Sequence, residues 1–219
     1  MDFYGDKAGD KTLCVLVHGD AAFAGQGIVY ETIQMEKLEG YYVGGTIHVL
    51  INNQVGFTAE KSQGRSSHYA SDLAKTNDSF VIRVNADYPE HVDYAFELAC
   101  EYRQKFKRDV YLDVVGYRKF GHNENDMPTF TNPTMYKAIS EKKPMFEQYC
   151  ERLIKEGIVT QKEIDEKMEF YKGVITNAYQ RAKNHDYDRP ECDTVKWSEY
   201  IKDPDHSEGL PITGVEVSK

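Results

Sequence analysis

The chain has 219 residues and a formal net charge of −9 at pH 7, with 40% hydrophobic and 29% charged residues. This length suits one domain or a domain with an appendage, and the apolar fraction suffices for a hydrophobic core. The negative charge, with no stripe of Lys or Arg, argues against a nucleic-acid-binding protein. Since no apolar run approaches the ~20 residues of a membrane-spanning helix, we expect no membrane insertion.

The beginning of the chain predicts a sheet that is buried on both faces. Residues 12–17 form a first strand that is too uniformly apolar for a sheet face open to water. A loop of small residues is predicted at 21–27, followed by a helix at 28–38. The apolar side chains of this helix lie on two sides, which predicts burial against the sheet and a neighbour. A second apolar strand is predicted at 47–51.

Strands and helices continue to alternate in the middle of the chain. Two further strands are predicted at 80–84 and 110–115. Between them we predict a helix with Asp87 as its N-cap and Pro89 in its first turn. Such alternation implies a parallel sheet with right-handed crossovers. The predicted fold class is therefore α/β, a Rossmann-like parallel sheet flanked by helices, followed by a helical pair and an irregular tail.

The pattern changes in the last part of the chain. We predict one helix over 134–155, stopped by Gly157, and a second helix that ends at about Lys183. The tail is rich in proline and acidic residues, and we expect Trp197 and Tyr200 to serve there as a docking point. The predicted domains are an α/β domain over residues 1–130, a helical appendage over 131–185 and an irregular linker or tail over 186–219.

Two predicted strands end on polar turns that contain glycine. Asp20 follows the first strand and Asn53 follows the second, 33 residues later, which leaves room for one crossover between neighbouring strands. Ligands of open parallel sheets bind beyond these carboxyl ends. A carboxylate, an amide oxygen and a loop carbonyl such as that of Val55 suit Mg²⁺ together with ligand phosphates. The two turns in this order predict a magnesium–diphosphate site, although each turn alone is as readily a simple turn former.

Two more polar segments accompany these turns. His122 follows the fourth strand at the same edge, where it could hydrogen-bond a diphosphate or transfer a proton near neutral pH. The alternative is an ordinary histidine of a surface loop. Arg65, followed by Ser66 and Ser67, lies in a polar loop and could either meet an anion or remain solvated. The sequence leaves both pairs of interpretations open.

These motifs resemble those of a known family. Residues 19–21, Gly-Asp-Ala, followed by Asn-Asn at 52–53, resemble the thiamine-diphosphate motif, in which glycine usually takes the place of Ala21. The longer stretches 18–27 and 52–58 are similar to the first, decarboxylating component of the 2-oxoglutarate dehydrogenase complex. The resemblance extends over roughly residues 12–185. A close relative of this family acts on 2-oxoadipate, and the motifs do not separate the two.

The resemblance implies a set of site residues. Thiamine diphosphate and Mg²⁺ would be the cofactors, with the metal bound by Asp20, Asn53 and the carbonyl of Val55. Ala21 would flank the diphosphate. His122 would lie near the diphosphate as a catalytic residue. Arg83 departs from the family pattern, which commonly has a histidine at this position.

The resemblance also implies a function for the protein of which this chain is a part. Family members oxidatively decarboxylate 2-oxoglutarate in the tricarboxylic acid cycle and pass the succinyl group to a lipoyl-bearing succinyltransferase. They form homodimers through a pyrimidine-binding domain that this chain lacks. The expected location is the mitochondrial matrix in a eukaryote and the cytoplasm in a bacterium. We expect the chain to be an internal fragment that is inactive alone.

Three other hypotheses remain at this stage. The chain could be a truncated, non-catalytic product that binds its complex, or a component of a 2-oxoadipate dehydrogenase. A Rossmann-like domain that binds NAD is disfavoured, because no Gly-x-Gly-x-x-Gly follows the first strand.

Overall fold

A computed structural model of the chain describes Gly5, Asp6, residues 9–187 and Gly214. Trp197 and Tyr200, the docking point expected in the tail, lie outside the described residues. The chain divides into two compact units, Met1–Thr160 and Gln161–Lys219, which are described separately below. The predicted domain boundaries stay a prediction.

The first unit contains the predicted alternation of strands and helices. Its elements are β1 (Cys14–Gly19), α1 (Asp20–Gly25), α2 (Gly27–Met35), β2 (Thr46–Asn52), β3 (Val55–Gly56), β4 (Ala59–Glu60), α3 (Lys61–Gly64), β5 (Phe80–Asn85), α4 (Pro89–Phe106), β6 (Val110–Val115), α5 (Pro133–Glu141) and α6 (Met145–Lys155). Short 3-10 helices cover Glu39–Tyr41, Ala70–Asn77 and Pro128–Phe130.

Within the described residues, four strands form one parallel sheet in the order β1–β2–β6–β5. This confirms the predicted α/β class with a parallel sheet. The register pairs Gly19 with Ile51, and it pairs Asn52 and Asn85 with Val115. Because all four strands run in the same direction, the segments that follow them emerge at one edge of the sheet.

Helices cover the sheet on both faces. Alternate residues of β2 point to opposite faces, so that Val49 and Leu50 belong to different core clusters. The cluster on the α4 side contains Ile47, Val49, Val84, Ala95, Ala99, Val110 and Leu112. The cluster on the α1 and α2 side contains Phe23, Ile33, Leu50, Ala70, Ala74 and Tyr111.

The predicted loop at 21–27 is wrong, because Asp20 begins a short helix there. The sequence Asp-Ala-Ala-Phe-Ala is rich in alanine, the best helix former, and has an acidic residue in the first turn. Phe23 is completely buried and anchors this helix in the core. Small residues therefore served as helix formers here, whereas the sequence analysis treated them as loop residues.

Burial on both sides of the following helix is also wrong for the described chain. Ile33 is the buried residue of α2, whereas the side chains of Ile28 and Leu38 are 65% and 51% exposed. The edge strand β1 likewise exposes Val15 and Val17. The spacing of apolar residues shows which side of an element is hydrophobic, but it does not show whether another element covers that side.

Two details of the later helices differ from expectation. The predicted helix at 134–155 is two helices, α5 and α6, since Pro144 cannot continue a helix and becomes the N-cap of α6. Tyr88, not Asp87, is the N-cap of α4, although Pro89 lies in the first turn as predicted. The carboxylate of Asp87 instead pairs with Lys142 at 2.7 Å.

The second unit has α7 (Gln161–Lys183) as its described helix, which confirms the predicted end near Lys183. Gly157, at the end of the first unit, has φ = 73° and follows α6, as expected of a helix stop. Among the described residues, no helix combines the length and the apolar character that crossing a membrane would require.

Asp6 organises the segment that leads into β1. Its carboxylate accepts hydrogen bonds of 2.7–2.9 Å from the N–H groups of Asp10, Lys11 and Thr12 and from the Thr12 hydroxyl. Burial acts to raise the pKa of Asp6, but these hydrogen bonds outweigh burial and hold the pKa well below its usual range. The ionised carboxylate therefore stabilises this segment.

Replacing this carboxylate is expected to destabilise the chain in a pH-dependent way. Because the folded pKa of Asp6 lies below the unfolded value of 3.8, its stabilisation is present above that pH and is lost as the pH falls through the folded pKa. Asp6→Asn should lower the melting temperature at neutral pH, and the difference from wild type should shrink in acid. Circular dichroism melts test this, with Asp93→Asn on the exposed face of α4 as the control. A difference that stayed constant into strong acid would contradict the prediction.

Candidate functional site

The Asp20 and Asn53 turns meet at the carboxyl edge of the sheet, as the sequence predicted. The side chain of Asp20 is only 3% exposed and its carboxylate lies 3.3 Å from Nη1 of Arg65. Burial raises the pKa of Asp20, and the charge of Arg65 and the backbone N–H of Asn53 offset this only in part. The site therefore contains a buried carboxylate that is incompletely compensated.

The turn after β2 has an unusual backbone. Gln54 and Phe57 adopt left-handed conformations, with φ of 65° and 53°, although neither is glycine. The side-chain oxygen of Asn53 accepts a hydrogen bond of 3.1 Å from the N–H of Val55, which is buried. Gln54 donates from Nε2 to the carbonyl of Gly116 at 2.9 Å. These contacts hold the turn in a shape that its residues would not prefer alone.

Ala21 and Gly56 bring the two turns into direct contact. A Cβ atom on Gly56 would lie 2.7 Å from the Cβ of Ala21, which is closer than two carbon atoms can approach. Glycine is therefore required at position 56 as long as position 21 carries a methyl group.

A cavity of about 260 Å³ opens between these turns. Asp20 and Ala21 line one side of it, and Lys61 and Arg65 belong to the segment on the other side. Arg65 is thus not the solvated loop residue of one sequence interpretation, because its side chain is only 10% exposed. The cavity combines a buried carboxylate with cationic side chains.

Sequence reasoning missed a buried polar network beneath the Asn53 turn. Asp113 on β6 is fully buried and accepts hydrogen bonds from Nδ2 of Asn52 at 2.9 Å and from the hydroxyl of Ser71 at 3.3 Å. Arg83, the residue that departs from the family pattern, also pairs with Asp113 and stacks on the ring of Tyr69. An Asp inside an otherwise apolar strand was the signal that could have revealed this network.

Two histidines form a second buried link between strands. His18 on β1 and His48 on β2 approach to 3.1 Å between their ring nitrogens, and His48 lies 3.4 Å from the carboxylate of Asp109. Burial, and then the proximity of His48, lower the pKa of His18, which favours its neutral form. This link joins β1 to β2 and to Asp109, the residue that precedes β6.

His122 lies at the same edge but outside the Asp20 cavity. Its exposed ring packs edge-on against Phe57, with ring centroids 4.9 Å apart. Both residues line a neighbouring cavity of about 340 Å³, and Phe57 lines the Asp20 cavity as well. Arg118 ties this loop to the turn after β2 by donating to the Phe57 carbonyl at 2.8 Å. The structure thus brings His122 next to the predicted site without placing it in contact with Asp20.

The donor atoms of the site suit a hard cation. Asp20 and Asn53 offer carboxylate and amide oxygens, and the main chain at Val55 offers a carbonyl, which is the ligand chemistry of Mg²⁺. No group of three or more His, Cys, Asp or Glu residues in the described part of the chain is arranged to hold a metal. The donor types of these residues fit a magnesium ion that completes its shell with water and phosphate oxygens. Asn53, however, lines another cavity, of about 370 Å³, and not the Asp20 cavity.

Comparison with known proteins gives a consistent family. The family model described as "Dehydrogenase E1 component" matches residues 3–191. The chain is 48% identical over 198 residues to "2-oxoglutarate dehydrogenase, mitochondrial" of Saccharomyces cerevisiae, which is 90% of this chain and 19% of that relative. It is 47% identical over 183 residues to "2-oxoglutarate dehydrogenase-like, mitochondrial" of Rattus norvegicus, covering 83% of this chain and 18% of that relative.

A relative with a different named substrate is also similar. The chain is 41% identical over 199 residues to "Probable 2-oxoadipate dehydrogenase complex component E1 homolog" of Dictyostelium discoideum, which is 90% of this chain and 22% of that relative. The chain thus spans about a fifth of the length of the curated relatives it matches.

The close approach of the two turns predicts the effect of adding one methyl group. Gly56→Ala should destabilise the chain by about 1–3 kcal/mol, because the new methyl overpacks against Ala21. Ala21→Gly in the same chain should recover part of this loss, since it vacates the contested space. Urea denaturation measures both effects, and Gly64→Ala, whose Cβ would meet no atom within 4 Å, is the control. A double variant no more stable than Gly56→Ala alone would contradict the contact.

Proposed function

This chain belongs to the dehydrogenase E1 component family, and we propose that it is the diphosphate- and magnesium-binding part of a 2-oxoglutarate dehydrogenase. The observation that supports this proposal most strongly is the buried carboxylate of Asp20 beside the Asn53 turn at the carboxyl edge of a parallel sheet. Buried carboxylates are rare unless they are paired or bind a metal, and Arg65 compensates this one only in part.

We propose that Asp20, the side-chain oxygen of Asn53 and the carbonyl of Val55 bind Mg²⁺. Among these three protein ligands, Asp20 carries the negative charge, and the other two are neutral oxygens. The remaining positions of the octahedral shell are open to phosphate oxygens and water. Ala21 borders the cavity beside Asp20, so the diphosphate would lie against the backbone of α1. The metal would thereby relieve the unfavourable burial of the Asp20 charge.

His122 is proposed to support the diphosphate from the neighbouring loop. Its ring is exposed and adjoins Phe57, so that an imidazole N–H is free to donate to a phosphate oxygen on the solvent side of the turn. The imidazole of His122 could also accept or donate a proton during the reaction, since either of its ring nitrogens can carry one. When bound, thiamine diphosphate supplies the nucleophilic carbon and the electron sink for loss of carbon dioxide from a 2-oxo acid.

The whole protein is proposed to decarboxylate 2-oxoglutarate oxidatively and to pass the succinyl group to the lipoyl group of a succinyltransferase, in the tricarboxylic acid cycle. The word "mitochondrial" in the names of the yeast and rat relatives supports a location of this protein in the mitochondrial matrix. The chain covers about a fifth of those relatives, so catalysis would need further parts, among them a pyrimidine-binding domain in a homodimer. We therefore expect the isolated chain to bind cofactor without turnover.

A second candidate substrate is 2-oxoadipate. The similarity to the Dictyostelium discoideum protein named for 2-oxoadipate covers 90% of the chain, as does the similarity to the yeast protein. The proposed metal and diphosphate ligands are indifferent to the length of the substrate. Turnover assays of the full-length protein with both 2-oxo acids would distinguish the two candidates.

Removing the Asp20 charge tests the proposed metal site. Calorimetric titration of thiamine diphosphate into the chain should show binding that depends on Mg²⁺ and that is lost on chelation. Asp20→Asn should abolish this binding, because an amide cannot replace the only anionic ligand that the protein is proposed to supply. Asp87→Asn removes another carboxylate at the same edge, one paired with Lys142, and should bind as wild type does. No binding by the folded wild-type chain would overturn the proposal for this chain.

Replacing His122 tests its contact with the diphosphate. His122→Ala should weaken thiamine diphosphate binding by about tenfold or more, as expected for a hydrogen bond to a charged group. The melting temperature should not change, since the ring is exposed. His91→Ala removes another exposed histidine, at the start of α4, and should leave affinity unchanged. Equal affinity of His122→Ala and wild type would remove His122 from the site.

A further inference from the structure

Arg65 is a buried cation at the site that the proposed function does not use. We propose that Arg65 is an exchangeable counter-cation, paired with Asp20 while no metal is bound and released by a divalent cation to pair with the phosphate oxygens that accompany the metal. This inference rests on the proposed magnesium site at Asp20 and adds a competitor for that site within the chain itself.

The guanidinium of Arg65 contacts the carboxylate that we propose binds the metal. Nη1 of Arg65 lies 3.3 Å from Oδ2 of Asp20, and the two side chains are 10% and 3% exposed. Among the described residues, Arg65 is the one cation that forms an ion pair with Asp20. A divalent cation on the same carboxylate would bring two positive charges together where little water screens them. Binding of the metal and retention of the Arg65 pair therefore oppose each other.

The guanidinium of Arg65 leaves hydrogen-bond donors unsatisfied in its observed position. A guanidinium has five N–H donors, and the pair with Asp20 is a single contact rather than a bidentate one. Nε of Arg65 is buried and finds no hydrogen-bond partner in the described structure. An unsatisfied buried donor is unfavourable, so the observed pair is not the best arrangement available to this side chain.

A phosphate group would accept the hydrogen bonds that the N–H donors of Arg65 do not make to Asp20. The planar fork of arginine matches the oxygens of phosphate and can bind them through two parallel hydrogen bonds. Arg65 lines the same cavity as Ala21, where we place the diphosphate. An anion that enters with the metal would thus reach the guanidinium as the metal displaces it from Asp20.

The segment that bears Arg65 can move without disturbing the hydrophobic core. Arg65 directly follows α3, a helix of four residues that contributes no buried residue. Its capping box, formed by Glu60 and Gln63, is a local device that does not attach it to the sheet. Exchange of partners therefore requires a shift of an exposed segment only.

The proposal predicts opposite effects of one substitution on two ligands. Arg65→Met keeps the length of the side chain and removes its charge. Binding of Mn²⁺ alone, measured by electron paramagnetic resonance of the free ion, should become tighter by about fivefold or more. Binding of inorganic pyrophosphate at saturating Mn²⁺, measured by calorimetry, should become weaker by about the same factor. A residue that merely supports the fold would change both affinities in the same direction.

Matched variants separate the charge of Arg65 from its other properties. Arg65→Lys should bind Mn²⁺ as wild type does, because it restores a cation beside Asp20. Lys75→Met removes an exposed cation outside the cavity, one paired with Asp72, and should leave the affinity for Mn²⁺ alone unchanged. Thermal melts identify variants that fail to fold, and Arg65→Gln replaces Arg65→Met if the latter is unfolded.

Two negative results have different meanings. If wild type binds Mn²⁺, Asp20→Asn does not, and the neutral Arg65 variants bind Mn²⁺ no more tightly, the exchange is wrong while the metal site stands. If neither wild type nor a folded Arg65 variant binds Mn²⁺ under any condition, the metal site itself is wrong and the exchange falls with it.

Discussion

The carboxylate of Asp113 lies fully buried in the sheet and holds together the elements beneath the candidate site. It accepts hydrogen bonds from Asn52 at the end of β2 and from Ser71 in the 3-10 helix, and it pairs with Arg83 on β5. A buried charge of this kind contributes little net stability, but losing one partner is strongly unfavourable for the others. The network therefore fixes the position of Asn52, and through it the start of the turn that bears Asn53.

The sequence predicted the fold well where the signal was local and failed where tertiary context decided. The central strands are mostly apolar, with His48 in β2 and Asp113 in β6 as polar exceptions, and they were predicted correctly because both strands are largely buried. The same pattern misled at β1 and α2, where Val17 and Ile28 are exposed within the described chain although Ile33 is buried. The helix that starts at Asp20 was missed because Gly25 and Gly27, which follow its alanines, favour a loop.

The sequence could predict the residues of the candidate site that directly follow strands. It could not predict the residues that contact them from distant parts of the chain. The position of Asp20 and Asn53 at one edge was predictable because parallel strands bring their carboxyl ends to the same edge. The partner of Asp20 is Arg65, 45 residues away in a segment without periodicity, so its burial depended on contacts that no local pattern encodes. Asp113 was missed for the same reason, since its partners lie 30 to 61 residues distant.

The left-handed conformations of Gln54 and Phe57 have a consequence for how the chain folds. Such conformations cost about 1 kcal/mol or more for residues that carry a Cβ, so the turn gains nothing from forming early. The contacts that hold it come from the Gly116 carbonyl and from Arg118, which lie 62 and 61 residues further along the chain. Closing loops of this length is slow compared with forming helices or short turns. The turn that bears Asn53 is therefore expected to be among the last segments to become ordered, after β6 has joined the sheet.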